Sequence, residues 1–512
     1  MSSPSLLPQL PDLRCRLADH FASAGGDAAR RPVRVPVYRQ LLSDCLTPVA
    51  AYLRLTEGDR ADHSFLLESV TGGERIGRYS FLGAHPKRLV EVAASSEISG
   101  DPLDQLRDAL GHTTYLPDPA LPPFTGGLVG YAAFDLVRYF EADKLRDSTP
   151  HDDRGLPDLL FGLYDELVIF DNVQRTATVV SHLELSIEED LEQAYADAEA
   201  RLDVMIGKLT RGDGNDVIDE LRRDGITDPT VEQNLSRDQF ESNVRRGIEY
   251  IRAGDIFQFV PSLRLRVESE AEPFDVYRVL RVINPSPFMF YLKSPSCTLI
   301  GNSPEILCRV EGRTVQTRPL AGTRPRGKSA EEDDALGKEL LADEKERAEN
   351  IMLVDLHRND IGRVAATGTV SIDNLMTLEH YSHVMHIVTN ISAELDEPFD
   401  AIDALRVSLP VGTVSGAPKI RAMQIIDEVE PTRRGPYGGA VGHIDFGGDM
   451  DTCIALRTII YHDGKFDIQA GAGVVGDSDP GREYEECRQK AAAMLSAVSL
   501  AASGLTRPSP AS

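Results

Sequence analysis

The sequence predicts an α+β protein, a layered sandwich of largely antiparallel sheets flanked by helices. Short strand-like runs follow one another over residues 36–210 with only turns between them, a pattern typical of antiparallel hairpins. Further along the chain, strands and helices do not alternate strictly. Strict alternation would have indicated a parallel sheet of the Rossmann type, so the observed order favours antiparallel layers.

The N-terminal part is expected to contain three segments in order. Residues 1–35 are rich in Pro, Arg and Ala and are expected to form a loose leader. Residues 36–210 form a strand-rich region that ends in a helix over 187–210; its strand runs are HSFLLESV (63–70), RYSFLGA (78–84), GLVGYAAFDLV (127–137), DELVIFDNV (165–173) and RTATVVSHLE (175–184). Residues 211–235 are polar, rich in Asp and Gly, and are the predicted linker.

A second region is expected over residues 236–500. It opens at Ser236 with the S-x-x-Q form of a capping box, which marks a helix start, and Gly254 is a natural stop for that helix. The apolar stripe between them consists of Phe240, Val244, Ile248 and Ile251. Further strands are predicted at 287–294, 452–462 and 465–473, and further helices near 332–358, 398–408 and 417–428. Residues 501–512 are expected to be a disordered tail.

Composition limits the classes of partner. The chain has 512 residues, no Trp and a formal net charge of −27. Nucleic acid and anionic membranes require basic surfaces, so neither is expected as a main partner. The six cysteines are scattered without a C-x-x-C, which is typical of reduced thiols. The N-terminus lacks a signal-peptide pattern, and the apolar run at 124–137 is too short to span a bilayer. A soluble cytoplasmic protein is expected.

Two pairs of glutamates, Glu346/Glu349 and Glu483/Glu486, show i, i+3 spacing. On a helix, this spacing places both carboxylates of a pair on one face. Two such faces brought together would form an all-oxygen site suited to Mg²⁺. Either pair alone is more simply explained as a solvated helix face. The surrounding sequence has to decide between a metal site and two solvated faces.

The other motifs become specific only as a set. Each alone is typical of an ordinary cap, turn or strand corner. They are FTGGLVGYAAFDLVRYFE (124–141), GDIFQFVPS (254–262), NPSPFMF (284–290), NSPEIL (302–307), RPLAGTRPRG (318–327), HYSHVMHIV (380–388), GTVSGAPKIRAMQII (412–426), CIALRT (453–458) and QAGAGVV (469–475). In this order, the chain resembles the chorismate-utilising enzymes, and among them the family of anthranilate synthase large subunits (component I). The resemblance covers about residues 60–492 and is strongest over 236–490.

This resemblance implies the layered fold of those enzymes, chorismate as the substrate and Mg²⁺ as the cofactor. It assigns Glu346, Glu349, Glu483 and Glu486 to the Mg²⁺ shell that holds the ring carboxylate, where the metal acts as template and Lewis acid. Arg457 and Tyr437 would grip the enolpyruvyl carboxylate. The complete set of implied substrate-binding residues is Gly322, Thr323, Tyr437, Arg457, Gly471, Ala472, Gly473 and Lys490. Backbone N–H groups of residues 471–473 would point at the ring carboxylate.

The implied reaction adds ammonia at ring C2, expels the C4 hydroxyl and releases pyruvate to give anthranilate, the first step of tryptophan biosynthesis. Glu305 matches the general acid, which needs a raised pKa to be protonated near neutral pH. His386 matches the histidine of the C2-proton and pyruvate-elimination step. Thr413 matches a hydrogen-bonding partner of the ring, and His383 is interpreted as structural. The sequence leaves open whether the pathway is primary or secondary metabolism.

Two positions distinguish the subfamilies. Gln258 stands where relatives that add water carry a lysine base, and Ala321 stands where many aminodeoxychorismate synthases carry an attacking lysine. Both favour direct attack by ammonia, which is already nucleophilic. An aminodeoxyisochorismate or aminodeoxychorismate synthase component is the alternative enzyme. A catalytically silent homologue that binds tryptophan or a partner is the alternative of another class.

Two partners are implied besides chorismate. No cysteine lies in the Gly-flanked turn of a glutamine amidotransferase, so a separate amidotransferase subunit is expected to supply ammonia within a heteromer. LLES (66–69) and NPSPFMF (284–290) resemble a tryptophan feedback pocket, which would make L-tryptophan an inhibitor. The residues assigned to that pocket are Glu68, Ser69, Pro287, Phe288, Met289 and Cys453. The simpler interpretation of both segments is a core strand and a turn.

Overall fold

Two large β-sheets packed face to face form the centre of the molecule, and helices cover their outer faces. In a computed structural model of the chain, the structure describes residues 6–23, 31–69, 77–94, 100–145, 149–186, 189–211, 220–222, 229–381 and 384–506. His383, interpreted as structural from the sequence, lies outside the described residues.

Fourteen α-helices are found in the described ranges. They are α1 (Leu10–Ser23), α2 (Pro48–Leu55), α3 (Asp104–Leu110), α4 (Val137–Phe140), α5 (Ala142–Leu145), α6 (Leu191–Thr210), α7 (Arg237–Ala253), α8 (Pro273–Ile283), α9 (Ala330–Ala342), α10 (Glu344–Gly362), α11 (Ala401–Ser408), α12 (Gly412–Ser415), α13 (Lys419–Val429) and α14 (Pro480–Ser503). A short 3-10 turn, Phe134–Leu136, precedes α4. The Ser236 capping box and the left-handed Gly254 bound α7 as predicted.

The strands in chain order are β1 (Val33–Leu42), β2 (Ser64–Glu68), β3 (Tyr79–Ala84), β4 (Arg88–Val92), β5 (Thr114–Tyr115), β6 (Gly127–Ala132), β7 (Leu159–Tyr164), β8 (Glu166–Asp171), β9 (Thr176–Leu185), β10 (Glu220–Leu221), β11 (Glu232–Gln233), β12 (Gln258–Phe259), β13 (Ser262–Glu268), β14 (Phe288–Lys293), β15 (Thr298–Ser303), β16 (Ile306–Glu311), β17 (Thr314–Thr317), β18 (Leu320–Pro325), β19 (Ser371–His380), β20 (Val384–Glu394), β21 (Gly416–Ala417), β22 (Ala440–Asp445), β23 (Met450–Ile454), β24 (Thr458–His462), β25 (Lys465–Gly471) and β26 (Leu505–Thr506).

Both large sheets combine strands from the two predicted regions. The first runs β11-β13-β25-β24-β15-β14-β2-β3-β8-β9-β1-β5, and the second runs β18-β20-β17-β16-β23-β22-β6-β7-β4, with β19 also paired to β20. Every pair in them is antiparallel except β1 with β5. In the first sheet, Leu66 of β2 pairs with Tyr291 of β14, and in the second Tyr131 of β6 pairs with Val441 of β22. The predicted α+β class with largely antiparallel sheets is confirmed.

Three packed clusters show how the layers are arranged. Phe65, Tyr164 and Phe290 belong to a core between the two sheets. Helices α2, α6, α7, α8 and α14 pack on the outer face of the first sheet, and α3, α10 and α11 on that of the second. Both faces of each sheet are therefore buried. The ends of the strands and of the neighbouring helices are at the surface, where a site can form.

The structure corrects two predicted boundaries. Residues 10–23 of the expected loose leader form α1, because Leu13 and Leu17 are buried in the core beneath the first sheet. The helix predicted near 332–358 is two helices, since the Asp343 side chain accepts the backbone N–H groups of Lys345 and Glu346 and starts a new helix there. Among the described helices, none combines the length and apolar composition needed to cross a membrane.

Candidate active site

Glu305 lies just after the end of β15, at the meeting point of the two sheets. Its side chain is 5% exposed, and its carbonyl accepts the N–H of Ile454 at 3.0 Å, which fixes it beside the end of β23. Burial raises the pKa of Glu305 to about 8, opposed by the backbone N–H of Leu320 and the Thr413 hydroxyl. The carboxyl is therefore mainly protonated at neutral pH and can donate a proton.

Room for a further polar group remains around this acid. Among the described residues, neither Oε1 of Glu305 nor Oγ1 of Thr413 has a hydrogen bond of normal geometry, although both atoms are buried. Buried polar atoms without partners are uncommon in folded proteins. Their convergence indicates a place where a substrate atom completes the hydrogen bonding.

Arg457 lies on the chain between β23 and β24 and faces the same acid. Its φ of +47° is in the left-handed region, an uncommon backbone conformation for an arginine that tends to occur at functional sites. The N–H of Asn302 donates to its carbonyl at 3.2 Å, which ties this strained residue to β15. Burial lowers the pKa of Arg457, and the nearby Glu305 opposes this effect. A buried cation beside a buried acid is suited to hold a substrate carboxylate.

His386 is presented by β20, opposite Thr323 of β18. Its Nδ1 lies 2.9 Å from the carbonyl of Gly322 and 3.1 Å from Oγ1 of Thr323. A carbonyl only accepts, so Nδ1 carries the proton and Nε2 carries the lone pair. Burial lowers the pKa of His386, which keeps the imidazole neutral near pH 7. The residue can therefore act as a base through Nε2.

The two glutamate pairs do lie on helices, on α10 and α14, as their spacing predicts. Burial raises the pKa of Glu349, and the neighbouring Glu346 raises it further. Burial likewise raises the pKa of Glu483, with a further increase from Glu486. Lys490 lowers the pKa of both Glu349 and Glu483. One lysine on α14 thus interacts electrostatically with both helices, which places the two acidic faces side by side.

These carboxylates fit a hard divalent cation by the chemistry of their oxygens. Clustered carboxylates with raised pKa values are also an arrangement that a cation would stabilise. Within the described residues, no three His, Cys, Asp or Glu side chains are gathered closely enough to enclose an ion by themselves. A shell closed by all four glutamates is therefore not formed by the chain alone. Mg²⁺ is commonly held by one or two carboxylates together with waters and an anionic substrate, and the arrangement fits that mode.

The glycines after β25 allow other groups to approach the backbone. A Cβ on Gly471 would lie 3.1 Å from the Tyr437 hydroxyl, and one on Gly473 would lie 2.7 Å from Nε2 of Gln258. Lys490 donates from Nζ to the Gly471 carbonyl at 3.0 Å and pairs with Glu486 at 2.8 Å. These residues therefore line one surface with the acidic helices.

One predicted backbone donor is already used. The N–H of Ala472 donates to the Pro261 carbonyl at 3.2 Å, so Ala472 is not available to bind a carboxylate through that group. Gly322 has a φ of +64°, which favours glycine, and a Cβ there would lie 3.0 Å from Oε2 of Glu346. Gly322, whose carbonyl binds His386, therefore lies next to the first acidic helix.

Sequence reasoning missed three contributors to this site. Arg324 lies 2.9 Å from Asp343 and 3.7 Å from Glu346, at the start of α10. The Tyr381 ring stacks edge-on against His386 with ring centroids 5.6 Å apart. Lys345 lowers the pKa of Glu483 from the neighbouring helix. Arg324 and Tyr381 both lie inside the motifs quoted above, so motif membership was the available signal.

A separate cavity of about 330 Å³ opens between the sheets, lined by all six residues of the predicted tryptophan pocket. Side chains of neighbouring residues in this lining point in different directions, because alternate side chains of a strand lie on opposite faces of the sheet. The Glu68 carboxylate accepts hydrogen bonds from Tyr277 at 2.6 Å and Arg281 at 3.2 Å on the side of α8. Met289, which pairs with Glu68 between β14 and β2, packs in the core between the first sheet and its helices.

Glu68 therefore lines the cavity with its carboxylate held by Tyr277 and Arg281, and its contact with a ligand stays a prediction. The cavity is walled by aromatic and apolar side chains between the sheets, including Phe81, Phe124 and Phe288. His443 packs on Phe124 with ring centroids 4.0 Å apart. Such a wall is suited to a flat aromatic ring.

The chain matches the chorismate binding enzyme family over residues 62–496. It is 48% identical over 483 residues to anthranilate synthase component 1 of Thermus thermophilus, covering 92% of this chain and 100% of that protein. It is 45% identical over 480 residues to anthranilate synthase component 1 of Acetivibrio thermocellus, covering 91% of this chain and 95% of that protein.

Among solved structures, the chain is similar to anthranilate synthase component I from Streptococcus pneumoniae TIGR4. The TM-score is 0.73 and the identity 33%, covering 89% of this chain and 99% of that one. The menaquinone-specific isochorismate synthase of Escherichia coli superposes with a TM-score of 0.67 at 19% identity, covering 96% of this chain and 98% of that one. This second likeness shows a shared fold.

Proposed function

Because the chain belongs to the chorismate binding enzyme family, we propose that it acts as the large subunit of an anthranilate synthase, converting chorismate and ammonia to anthranilate and pyruvate. The observation that carries the proposal is the buried carboxyl of Glu305, whose pKa of about 8 makes it an acid at neutral pH. Two cations act on this carboxyl electrostatically, Arg457 and Lys490, and Lys490 lies on the second acidic helix. A dicarboxylate with a hydroxyl leaving group needs each of these features.

Substrate binding divides between the two carboxylates of chorismate. Arg457 and Tyr437 hold the enolpyruvyl carboxylate by charge and hydrogen bonding. Lys490, beside the Gly471 carbonyl, adds positive charge at the other end of the site. Mg²⁺ held with the help of Glu346, Glu349, Glu483 and Glu486 supplies Lewis-acid neutralisation of the ring carboxylate when bound.

Ring amination depends on Glu305. As ammonia forms a bond to C2, the ring double bonds shift and the C4–O bond breaks. Glu305 gives its proton to the departing hydroxyl, which leaves as water, and the carboxyl becomes a carboxylate. The proton shed by the new amine balances the charge. The Thr413 hydroxyl, next to the acid, positions the leaving oxygen.

Aromatisation depends on His386. Its Nε2 lone pair takes the proton from C2, the C3–O bond breaks as the ring becomes aromatic, and the enolpyruvyl group leaves as the enolate of pyruvate. The enolate takes up one proton at its methylene carbon to give pyruvate, and the imidazolium gives up one proton, so His386 returns to its neutral form. The Gly322 carbonyl holds Nδ1–H at 2.9 Å and so fixes the tautomer that this step requires,. The neutral imidazole at pH 7 suits the role of base.

Two residues favour ammonia as the nucleophile. Gln258, buried at the site with Nε2 3.5 Å from Oε1 of Glu349, has no basic group with which to activate water. Ala321, buried in β18, cannot attack the ring covalently. Ammonia needs no activation and therefore reacts directly. Neither the addition of water nor the attack of a lysine on the ring is favoured.

The direct test combines the purified chain with chorismate, Mg²⁺ and an ammonium salt at mildly alkaline pH. Anthranilate, identified by fluorescence and mass, and pyruvate are expected in equal amounts. An aminated product that retains its enolpyruvyl group would indicate an aminodeoxyisochorismate or aminodeoxychorismate synthase. Absence of turnover in metal-replete protein would support the silent homologue.

Ammonia is expected to come from a separate glutamine amidotransferase subunit. Four of the cysteines are buried, and burial raises the pKa of the Cys308 and Cys487 thiols to about 12. Such thiols are not nucleophilic at neutral pH. The two exposed cysteines, Cys15 and Cys45, are not flanked by Gly as the amidotransferase turn requires. Both observations support a heteromer in which the glutaminase chemistry lies on the partner.

The cavity between the sheets is proposed to bind L-tryptophan as a feedback inhibitor. Its aromatic wall fits an indole ring, and Ser69 at the end of β2 lies at its polar edge. The same strands lead to the active site, since Phe288 and Met289 of β14 pair with Ser303 and Asn302 next to Glu305. A ligand in the cavity can therefore alter the position of the acid.

Replacing Phe288 by alanine is expected to weaken tryptophan binding by about 10- to 100-fold, since the change removes one large apolar contact worth roughly 1.5–3 kcal/mol. Turnover without tryptophan should stay near the wild-type rate. The chain has no Trp of its own, so the fluorescence of the bound ligand can be followed directly. V282A, at an exposed apolar position on α8, is the matched control. Unchanged inhibition of F288A would place the tryptophan site elsewhere.

A further inference from the structure

Beneath the active site lies a buried ion pair, Arg434 with Glu430. The Arg434 side chain is 2% exposed and that of Glu430 is 3% exposed, with NH2 of the arginine 2.6 Å from Oε1 of the glutamate. Nε of Arg434 donates to Oε2 at 2.9 Å. The contact is thus bidentate, the most directional form of this pair.

The guanidinium also bonds to two backbone segments far apart in sequence. NH1 donates to the Val414 carbonyl and NH2 to the Val260 carbonyl, each at 2.6 Å. Val414 belongs to α12, directly after Thr413. Val260 follows β12, which carries Gln258. The Arg434 guanidinium therefore holds both the segment that carries the Thr413 hydroxyl and the segment that carries the Gln258 amide.

Glu430 binds the continuation of the Val260 segment. Its Oε1 accepts both the backbone N–H and the hydroxyl of Ser262, each at 2.8 Å. Ser262 pairs with Gly471 in the ladder between β13 and β25. The carboxylate thus fixes the strand that faces the glycines of the substrate surface.

The same arginine packs against the aromatic floor of the site. Its guanidinium carbon lies 4.6 Å from the ring centroid of Phe134 and 5.8 Å from that of Tyr437. The Tyr437 hydroxyl is itself adjacent to Gly471. Arg434 therefore contacts Tyr437, one of the predicted substrate-binding residues, directly.

We infer that Arg434, oriented by Glu430, is the positioning residue that sets the mutual geometry of Gln258, Thr413, Tyr437 and Gly471 for the reaction. This inference rests on the proposed function. Arg434 does not touch the reacting atoms. It satisfies carbonyls that would otherwise be buried without donors, and it does so at a spacing that only a guanidinium fork can match. A lysine keeps the charge but has no planar fork.

The test is R434K with R433K as the matched control. Arg433 is the adjacent buried arginine, 4% exposed, and pairs with Asp158 at 2.7 Å away from the site. Both variants lose a buried guanidinium, so both should melt at lower temperature. R434K alone is expected to lower kcat/KM for chorismate by about 100-fold or more, because small displacements of catalytic groups have effects of this size. R433K should remain within about 3-fold of wild type on the same scale.

Two further readouts separate positioning from general destabilisation. R434K should both raise KM for chorismate and lower kcat, measured well below its melting temperature. The fall in its rate at alkaline pH should shift to higher pH, because displacing the Thr413 hydroxyl removes a group that lowers the pKa of Glu305. R433K should leave the pH dependence of the rate unchanged. If R434K does not fold, E430Q is measured by the same criteria, since it preserves shape but removes the carboxylate.

Kinetics of R434K within about 3-fold of wild type would overturn the inference. Equal losses in R434K and R433K would do the same, because both would then report only stability. The wild-type chain is the reference for the proposed function: if it forms no anthranilate, that proposal fails independently of the arginine variants.

Discussion

E305Q is expected to form anthranilate about 1,000-fold more slowly than wild type, since general acid catalysis contributes 10²- to 10⁴-fold. Glutamine has the shape of glutamate but cannot give a proton to the departing C4 hydroxyl. The loss should appear in kcat with KM for chorismate little changed, because Glu305 acts on the leaving group rather than in binding. Anthranilate fluorescence under saturating chorismate and ammonium measures it.

E268Q is the control for this variant. Glu268 is an exposed glutamate at the far end of β13, paired with Lys465, and its replacement should leave the rate unchanged. E305Q activity within tenfold of wild type would show that another group protonates the leaving oxygen.

The pH profile tests the same carboxyl without mutation. Burial raises the pKa of Glu305 to about 8, so the group is protonated below this pH and ionised above it. At a fixed concentration of free NH₃, the step that needs this proton therefore has a constant rate below the pKa of Glu305, and its rate falls as the pH rises through that pKa, by about tenfold per unit. The residual rate of E305Q should lack this alkaline limb.

E349Q is expected to lower kcat/KM for chorismate by about 100-fold or more, since metal neutralisation of a bound anion is worth several kcal/mol. Glu349 is the more buried glutamate of the α10 pair and also contacts Gln258. The Mg²⁺ concentration for half-maximal activity should rise in parallel. E344Q, at an exposed position on the same helix, should change neither value.

Mg²⁺ binding provides a measurement independent of turnover. Calorimetric titration of wild type with Mg²⁺, in the presence of chorismate and absence of ammonium, should show a site that E349Q weakens. Equal Mg²⁺ affinity in E349Q and wild type would assign the metal to other residues.

Local features of the fold could be predicted from sequence because their causes are local. Ser236 and Gly254 bound α7 through a capping box and a left-handed glycine. The break at Asp343 was missed because helix propensity continues through DEKERAEN, while the Asp343 side chain caps a new helix. The strands were recognised, but their partners were not, since β2 pairs with β14 across more than 200 residues.

The chemistry of the site was predicted better than its geometry. Residue types and motif order predicted Glu305, His386 and the four glutamates, and the structure shows where these residues lie; their roles stay predictions. The closeness of Glu305 to Arg457 depends on the bond from Ile454 N–H to the Glu305 carbonyl, which no local pattern indicates. The face of the first sheet to which the Glu68 carboxylate points follows from the packing of α8 on β2, which no local pattern indicates. The role of Arg434 depends on its contacts with the Val414 and Val260 carbonyls, which no local pattern indicates.

The central claim is tested most directly by following the nitrogen into the product. Purified chain would be given chorismate and Mg²⁺ with either ¹⁵N-ammonium or amide-¹⁵N-glutamine, and anthranilate and pyruvate would be quantified by mass. We expect one ¹⁵N-anthranilate and one pyruvate per chorismate from ammonium, and no labelled product from glutamine. An aminated product without pyruvate, or labelled anthranilate from glutamine with the chain alone, would contradict it.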